Sequence, residues 1–295
     1  MGGLNIKELV LGKIFFITGA SSGFGAALAR AALDRGDSAV VAARRLDQLE
    51  QIAASHPGRA LPIELDVTDA AQREKAVRAA IDRFGRIDVL ANIAGRGSLG
   101  AAEEFSDGQL REQMELNFFA AAELTKAVLP TLRSQRSGHI LNLTSIGGLV
   151  SVGGFSAYCA SKFALEGWSE ALRDEVAPLG IKVTIVEPGA FRTEFAGSRN
   201  MRPERSIHDY RPVLQPIEDF LYGGDGKQPG DPAKAAAAMI QVVDHPNPPL
   251  RLILGEDALG LAEKKLAEVR QDSSSWRSVA ESTNFEGVET AAIPA

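Results

Sequence analysis

Seven short apolar runs, separated by longer amphipathic stretches, leave this chain very few folds to choose from. The runs cover residues 14–18, 39–43, 61–65, 89–93, 140–144, 183–186 and 250–254. Several are continuous rather than alternating, the pattern of strands buried on both faces. Between them, residues 23–34, 70–84, 107–132, 157–177 and 232–243 read as helices. Such alternation predicts an α/β protein: a doubly wound parallel sheet of about seven strands with helices on both faces. No internal repeat interrupts it, and 295 residues suit one such domain. We expect that domain to span residues 11–271. The rhythm breaks at residues 196–231, which hold Arg199, Arg202, Pro203, Arg205, Pro212, Pro216 and Pro229. A long irregular stretch in a compact α/β domain points to a lid over a binding site. Residues 272–295, Ser-rich and then rich in Glu, Thr and Ala, read as a weakly packed tail.

Charge and composition exclude several classes. With 32 basic and 38 acidic side chains the formal net charge is −6, not the basic footprint of a nucleic-acid binder. Cys159 is the only cysteine, so no intrachain disulfide forms, in keeping with a reducing cytoplasm. No apolar run reaches the ~18 residues of a membrane span. Asn5, Lys7 and Glu8 break up the first residues, which do not read as a signal peptide, and Ile6 stands where a myristoylation signal needs Ser or Thr. His56, His139, His208 and His245 are scattered without ligand spacing, so no metal is expected.

The first strand runs into Thr18-Gly19-Ala20-Ser21-Ser22-Gly23-Phe24-Gly25 and then a helix. Glycines there let a ligand approach the backbone, and the unpaired N–H groups of a helix start favour a phosphate. The loop lacks Gly-Lys-Ser/Thr, so it is not a nucleoside-triphosphate loop. Its place after a buried strand points to a dinucleotide. The second strand ends in Arg44-Arg45 where an NAD site would carry a carboxylate for the ribose. Arginine pairs well with a 2′-phosphate. NADP preference follows, with Arg44 ranked above Arg45.

Tyr158 and Lys162 stand four residues apart in a helical segment and so share a face. Ser145 closes the fifth strand, at the carboxyl end where ligands bind in open α/β sheets. A phenol titrates near ~10, too high for proton transfer at neutral pH. A lysine ammonium ~4 Å away favours phenolate by up to ~4 kcal/mol at an effective dielectric of ~20, enough to lower that value by about three pH units. The expectation is therefore a lysine-activated tyrosine acid/base with a serine to orient the reacting oxygen.

Taken in order, these segments resemble the short-chain dehydrogenase/reductase family in its single-domain form. The likeness is strong over residues 11–190 and extends in layout to about residue 260. The family's pieces follow one another as the glycine loop, Asp66-Val67, Asn92-Ile93-Ala94-Gly95, Asn117, Ser145, Tyr158, Lys162 and Pro188-Gly189-Ala190-Phe191-Arg192-Thr193. Ile93 departs from the family's usual Asn-Asn-Ala-Gly. The resemblance implies a Rossmann-type fold and a set of roles. Asn117, Ser145, Tyr158 and Lys162 would be catalytic, with Lys162 on the nicotinamide ribose and Asn117 binding a water in a proton relay. Gly19, Ser21, Ser22, Gly23, Phe24 and Gly25 would hold the phosphates. Asp66 and Val67 would meet the adenine, and Asn92, Ala94 and Gly95 the ribose region. Pro188, Gly189, Phe191 and Thr193 would lie along the nicotinamide and its phosphates.

The implied reaction is hydride transfer between NADP(H) and a carbonyl or secondary alcohol. The small apolar lining after Ser145 (Ile146, Gly147, Gly148, Leu149, Val152, Phe155) suggests an uncharged substrate. Segments 107–132 and 157–177 resemble the family's pairing helices, which implies a homodimer or homotetramer. Two other readings stay open. One is a non-enzymatic NADP-binding regulator on the same fold. The other is a different chemistry such as epimerisation or dehydration.

Overall fold

The structure, a computed structural model, describes residues 12–197, 199–285 and 287–288. Residues 1–11, on which the expectations of no signal peptide and no acyl anchor rest, lie outside them. Strands β1 (Ile14–Thr18), β2 (Ser38–Ala43), β3 (Ala60–Glu64), β4 (Val89–Asn92), β5 (Gly138–Leu143), β6 (Ile181–Pro188) and β7 (Arg251–Leu254) form one sheet. Its order is β3-β2-β1-β4-β5-β6-β7, and every neighbouring pair is parallel. The chain steps outward from β1 to β3, then returns to place β4 on the other side of β1. That reversal opens a crevice at the carboxyl ends of β1 and β4, where ligands bind in such sheets.

The helices are α1 (Gly23–Asp34), α2 (Leu46–Ser55), α3 (Ala70–Phe84), α4 (Asp107–Met114), α5 (Ala120–Gln135), α6 (Ser156–Val176), α7 (Arg211–Gly223), α8 (Pro232–Asp244), α9 (Glu256–Ser275) and α10 (Arg277–Glu281). The continuous apolar runs supply both faces of the sheet, because alternate side chains point opposite ways. Phe15, Ile17 and Val41 pack on one face against Leu28 and Leu33 of α1, Leu49 of α2 and Met239 of α8. Phe16, Val40, Leu90 and Ile140 pack on the other against Ala76 of α3, Leu124 and Val128 of α5 and Leu172 of α6. Each such Leu, Ile or Phe contributes about 1.5–3 kcal/mol on burial. The less buried β3 forms an edge and tolerates Pro62, whose missing N–H costs least there.

Four elements differ from the sequence reading, the first being α9, a 20-residue helix over a stretch where no helix is read. Helix α2 lies between β2 and β3, where no helix was expected; its buried face is only Leu49 and Ile52, too short a stripe to stand out. The helix expected over 107–132 is α4 and α5 joined by a π-helical turn, Glu115–Phe119, and it continues to Gln135. The tail begins as the last turn of α9 and then α10, exposed from residue 272 to residue 285.

The segment 196–231 contains α7 and is tied to the loop after β4. Leu99 N–H donates to the Met201 carbonyl at 3.1 Å and Met201 N–H to the Gly97 carbonyl at 2.9 Å. The Ile207 N–H donates to the buried Glu104 carboxylate at 2.7 Å. No helix among the described residues is long and apolar enough to cross a membrane. Among the same residues no cluster of three or more metal-ligating side chains comes together.

Candidate active site

The glycine loop leaves β1 at the switch point. Gly19 and Gly23 have φ of 66° and 51°, which favours glycine. A Cβ on Gly25 would lie 2.3 Å from the Gly19 carbonyl oxygen, so the loop folds directly onto the first turn of α1. That turn has no acidic residue, and the Ser22 side chain does not cap it. Its N–H groups are thus left for an outside acceptor, the arrangement that suits a phosphate. Thr18 Oγ1 accepts from the N–H groups of Ile93 at 2.9 Å and Ala94 at 3.1 Å, locking the ends of β1 and β4 together.

Arg44 and Arg45 flank the loop at the end of β2. Arg45 donates to Ser21 Oγ at 3.0 Å and stands 3.5 Å from Glu194, whereas Arg44 is exposed. Burial works against the charge on Asp66, but hydrogen bonds from Thr68 and the nearby Arg44 outweigh it and hold the carboxyl below its ordinary range. On the far side, the Phe24 and Phe191 rings meet at 5.1 Å, and a Cβ on Gly23 would touch Thr193 at 3.3 Å.

Ser145 leads the short turn Ile146–Gly148 after β5, and its Oγ accepts from Gly147 N–H at 3.0 Å. Tyr158 and Lys162 lie on one face of α6, both buried. The Lys162 ammonium donates to the Leu143 carbonyl at 2.9 Å and lies 5.9 Å from the centre of the Tyr158 ring. Phe195 packs edge-on against Tyr158 at 5.2 Å.

Burial opposes the expected activation of the tyrosine. Burial raises the Tyr158 phenol well above its ordinary value, and the facing Ser145 hydroxyl only partly offsets this. Burial also pushes Lys162 down to about 8, with Glu166 opposing. Desolvation thus governs both groups: the phenol keeps its proton at neutral pH, and Lys162 still carries most of its charge.

Asn117 sits in the π-helical turn, the kind of local widening that often marks a functional position. It is buried behind the cleft rather than lining it. Its Nδ2 donates to the Arg96 carbonyl and to Ser161 Oγ, and its Oδ1 accepts from Arg96 N–H, each at 3.0 Å. A Cβ on Gly95 would lie 3.1 Å from Asn117 Oδ1 and 3.5 Å from Lys162 Nζ, so the two side chains meet across Gly95.

Most of the expected site residues line one continuous cleft of about 1470 Å³. These are Gly19, Ser21, Ser22, Gly23, Phe24, Arg44, Arg45, Asp66, Val67, Ala94, Gly95, Ser145, Tyr158, Lys162, Pro188, Gly189, Phe191 and Thr193. Asn92 does not join them. Its Nδ2 donates to Thr125 Oγ1 and Asn142 Oδ1, both at 2.9 Å, which bridges β4 to α5 and β5, while its Oδ1 is buried without a hydrogen-bond partner. Gly25 supports the loop from beneath. The sequence reading missed Thr18, Arg96, Ser161 and Phe195. Thr18 and Phe195 carry no signal beyond position, and Arg96 and Ser161 act through backbone or secondary contacts visible only in three dimensions. The cleft fits a dinucleotide: its loop is closed to side chains at Gly19 and Gly25 and open to an anion at α1. Apolar side chains (Ile146, Val150, Val152, Phe155, Phe195 and Phe220) also line it, together with charged ones such as Arg96, Glu112, Arg199 and Lys227.

Comparison with known proteins gives a consistent picture. A sequence model of the family described as short chain dehydrogenase matches residues 13–204. Oxidoreductase BOA17 of Botryotinia fuckeliana is 40% identical over 266 residues, covering 90% of this chain and 97% of that protein. The 3-ketodihydrosphingosine reductase of Bacteroides thetaiotaomicron is 37% identical, covering 82% and 88%. A crystal structure of a short-chain dehydrogenase from Streptomyces avermitilis superposes with a TM-score of 0.87 at 46% identity, covering 93% of this chain and all of that one.

Proposed function

This chain belongs to the short-chain dehydrogenase family of oxidoreductases, and from that premise we propose that it transfers a hydride between NADP(H) and a carbonyl or secondary alcohol, with Tyr158 as the acid/base. One observation carries the reading: Ser145, Tyr158 and Lys162 share a single cleft with a glycine loop built for a phosphate. When bound, the nicotinamide supplies or accepts the hydride. The chain's own residues do the rest.

In the reductive direction Tyr158, protonated at neutral pH because it is buried, gives its proton to the substrate oxygen. Ser145 orients that oxygen, and the two fixed hydroxyls stabilise the charge that develops on it. Lys162 would hold the nicotinamide ribose and make the phenolate easier to form in the reverse direction. Asn117, fixed by Arg96 and Ser161, would hold the relay water between Lys162 and solvent. Arg44 and Arg45 favour the 2′-phosphate, Arg44 first because Arg45 is already engaged by Ser21. The apolar side chains Ile146, Val152 and Phe155 in the cleft and the relative named 3-ketodihydrosphingosine reductase support an uncharged, lipophilic ketone or alcohol. The segment 196–231 would close over it. We place the protein in the cytoplasm as a homodimer or homotetramer.

The test titrates cofactor-free protein with NADPH and NADH by nicotinamide fluorescence. NADPH binds the tighter, and Arg44→Ala weakens it by about 1–3 kcal/mol, the range for a hydrogen bond to a charged group. A ketone panel then shows NADPH oxidation that Tyr158→Phe abolishes while leaving NADPH binding intact. Equal affinity for both nucleotides overturns the NADP assignment. Tight binding without turnover of any ketone or alcohol favours the regulator.

A further inference from the structure

Behind the serine and the lysine lies a group of charged side chains, Glu166 and Glu187 among them buried, with no part in the steps above. Glu166 follows Lys162 by four residues on α6, so the two share a face. Its Oε1 accepts a 2.7 Å hydrogen bond from the Thr144 hydroxyl, one residue before Ser145. A Cβ on Gly148 would lie only 2.4 Å from the same oxygen. The carboxylate therefore sits directly against the turn that follows Ser145. Arg251, at the start of β7, pairs with Glu166 and Glu187 and reaches Glu170 at 2.5 Å. Glu187 is fully buried on β6, one residue before Pro188, and its Oε2 has no hydrogen-bond partner.

Burial and the neighbouring Glu166 push the Glu187 carboxyl up to about 7, against the pull of Arg251. Glu187 therefore takes up a proton near neutral pH. Lys162 faces the opposite problem, since burial favours its neutral form and Glu166 acts against that loss. The charged and titratable groups bearing on Lys162 are Tyr158 and Glu166 from its own helix. Arg251 from β7, Glu187 from β6 and Glu170 stand behind Glu166, and the π-helical turn presents the uncharged Asn117. A carboxylate in direct contact would occupy the lysine's hydrogen bonds. One a helical turn away supplies the field and leaves the ammonium on Leu143 and open to the cleft.

We propose, on the reading of Lys162 as the group that holds the cofactor, that Glu166 is a positioning residue: its buried carboxylate, pinned by Arg251, keeps Lys162 charged and supports the turn carrying Ser145. Serine positioning and lysine charge then depend on one side chain.

The experiment measures NADPH affinity of the whole protein by fluorescence as a function of pH. In the wild type, affinity falls as pH rises through the Lys162 value of about 8. Glu166→Gln keeps the size and the acceptor for Thr144 but removes the charge, and it moves that fall roughly one pH unit lower. At acidic pH its affinity matches the wild type. Thr144→Val removes the hydrogen bond, keeps the charge and leaves the fall where the wild type has it. Should Glu166→Gln not fold, Glu166→Leu carries the same expectation. An unmoved profile in the neutral variants, or one weakened equally at every pH, overturns the proposal and leaves Glu166 a purely structural support. If the wild type itself binds no NADPH, the cofactor reading fails first and takes the proposal with it.

Discussion

At Gly25 the loop and the helix it feeds compete for the same space. A Cβ there would lie 2.3 Å from a backbone oxygen, which has no rotamer through which to move aside. Gly25→Ala is expected to cost about 1–3 kcal/mol of stability, the usual penalty for overpacking, and to weaken NADPH binding by shifting the loop. Thermal unfolding and the fluorescence titration read the two effects separately; an unchanged melt would mean that the loop yields freely. Single residues also show the limits of a linear reading. The glycine pattern, Ser145, Tyr158 and Lys162 were all legible, because each depends on spacing along one strand or helix. The direction in which Tyr158 and Lys162 titrate was not, because it depends on how deeply the fold buries them.

Among the elements, β5 carries a titration of its own far from the cleft. His139, the second residue of the strand, is buried, with Nε2 bonded to Thr184 Oγ1 at 2.9 Å. Burial first, then Lys182 and Lys13, hold its value down to about 3. The folded chain therefore keeps it neutral, while the unfolded chain takes up a proton below about 6.5. Stability due to this group is complete above that pH and is lost as pH falls toward about 3, amounting to about 2 kcal/mol by pH 5. Denaturant melts across that range are expected to show the loss, and His139→Gln to flatten it. An equal acid slope in the variant would assign it to the carboxylates instead. The strands were readable because each is a continuous apolar run. Helix α2 was missed because two buried residues make a faint stripe, and the π-helical turn because one extra residue leaves the helical pattern on either side intact.

For the whole molecule, one unanswered contact is the set of apolar side chains exposed on α4, on the π-helical turn that follows it and on α6. Leu110, Phe119 and Phe163 are each more than 40% exposed there, although side chains of this size usually gain about 1.5–3 kcal/mol on burial. These are the segments expected to pair between subunits. Phe119→Asp with Phe163→Asp is expected to shift sedimentation toward the monomer while leaving the far-UV spectrum unchanged. A wild type that already sediments as a monomer would overturn the pairing. The segment 196–231 belongs to this scale too, since its anchors at Gly97, Leu99 and Glu104 lie about a hundred residues earlier in the chain.

The sequence by itself determined the class of fold, the succession of the seven strands and the place of the glycine loop, because each rests on local periodicity or spacing. It also marked Ser145, Tyr158 and Lys162 as a set. Only the tertiary structure decided which polar side chains face the cleft. It turned Asn92 into the core, placed Asn117 behind the cleft on Arg96 and Ser161, and joined Glu166 to Arg251 across 85 residues. The reason is physical. Desolvation and hydrogen-bond satisfaction depend on neighbours brought together by packing, and no periodicity along the chain records who those neighbours will be.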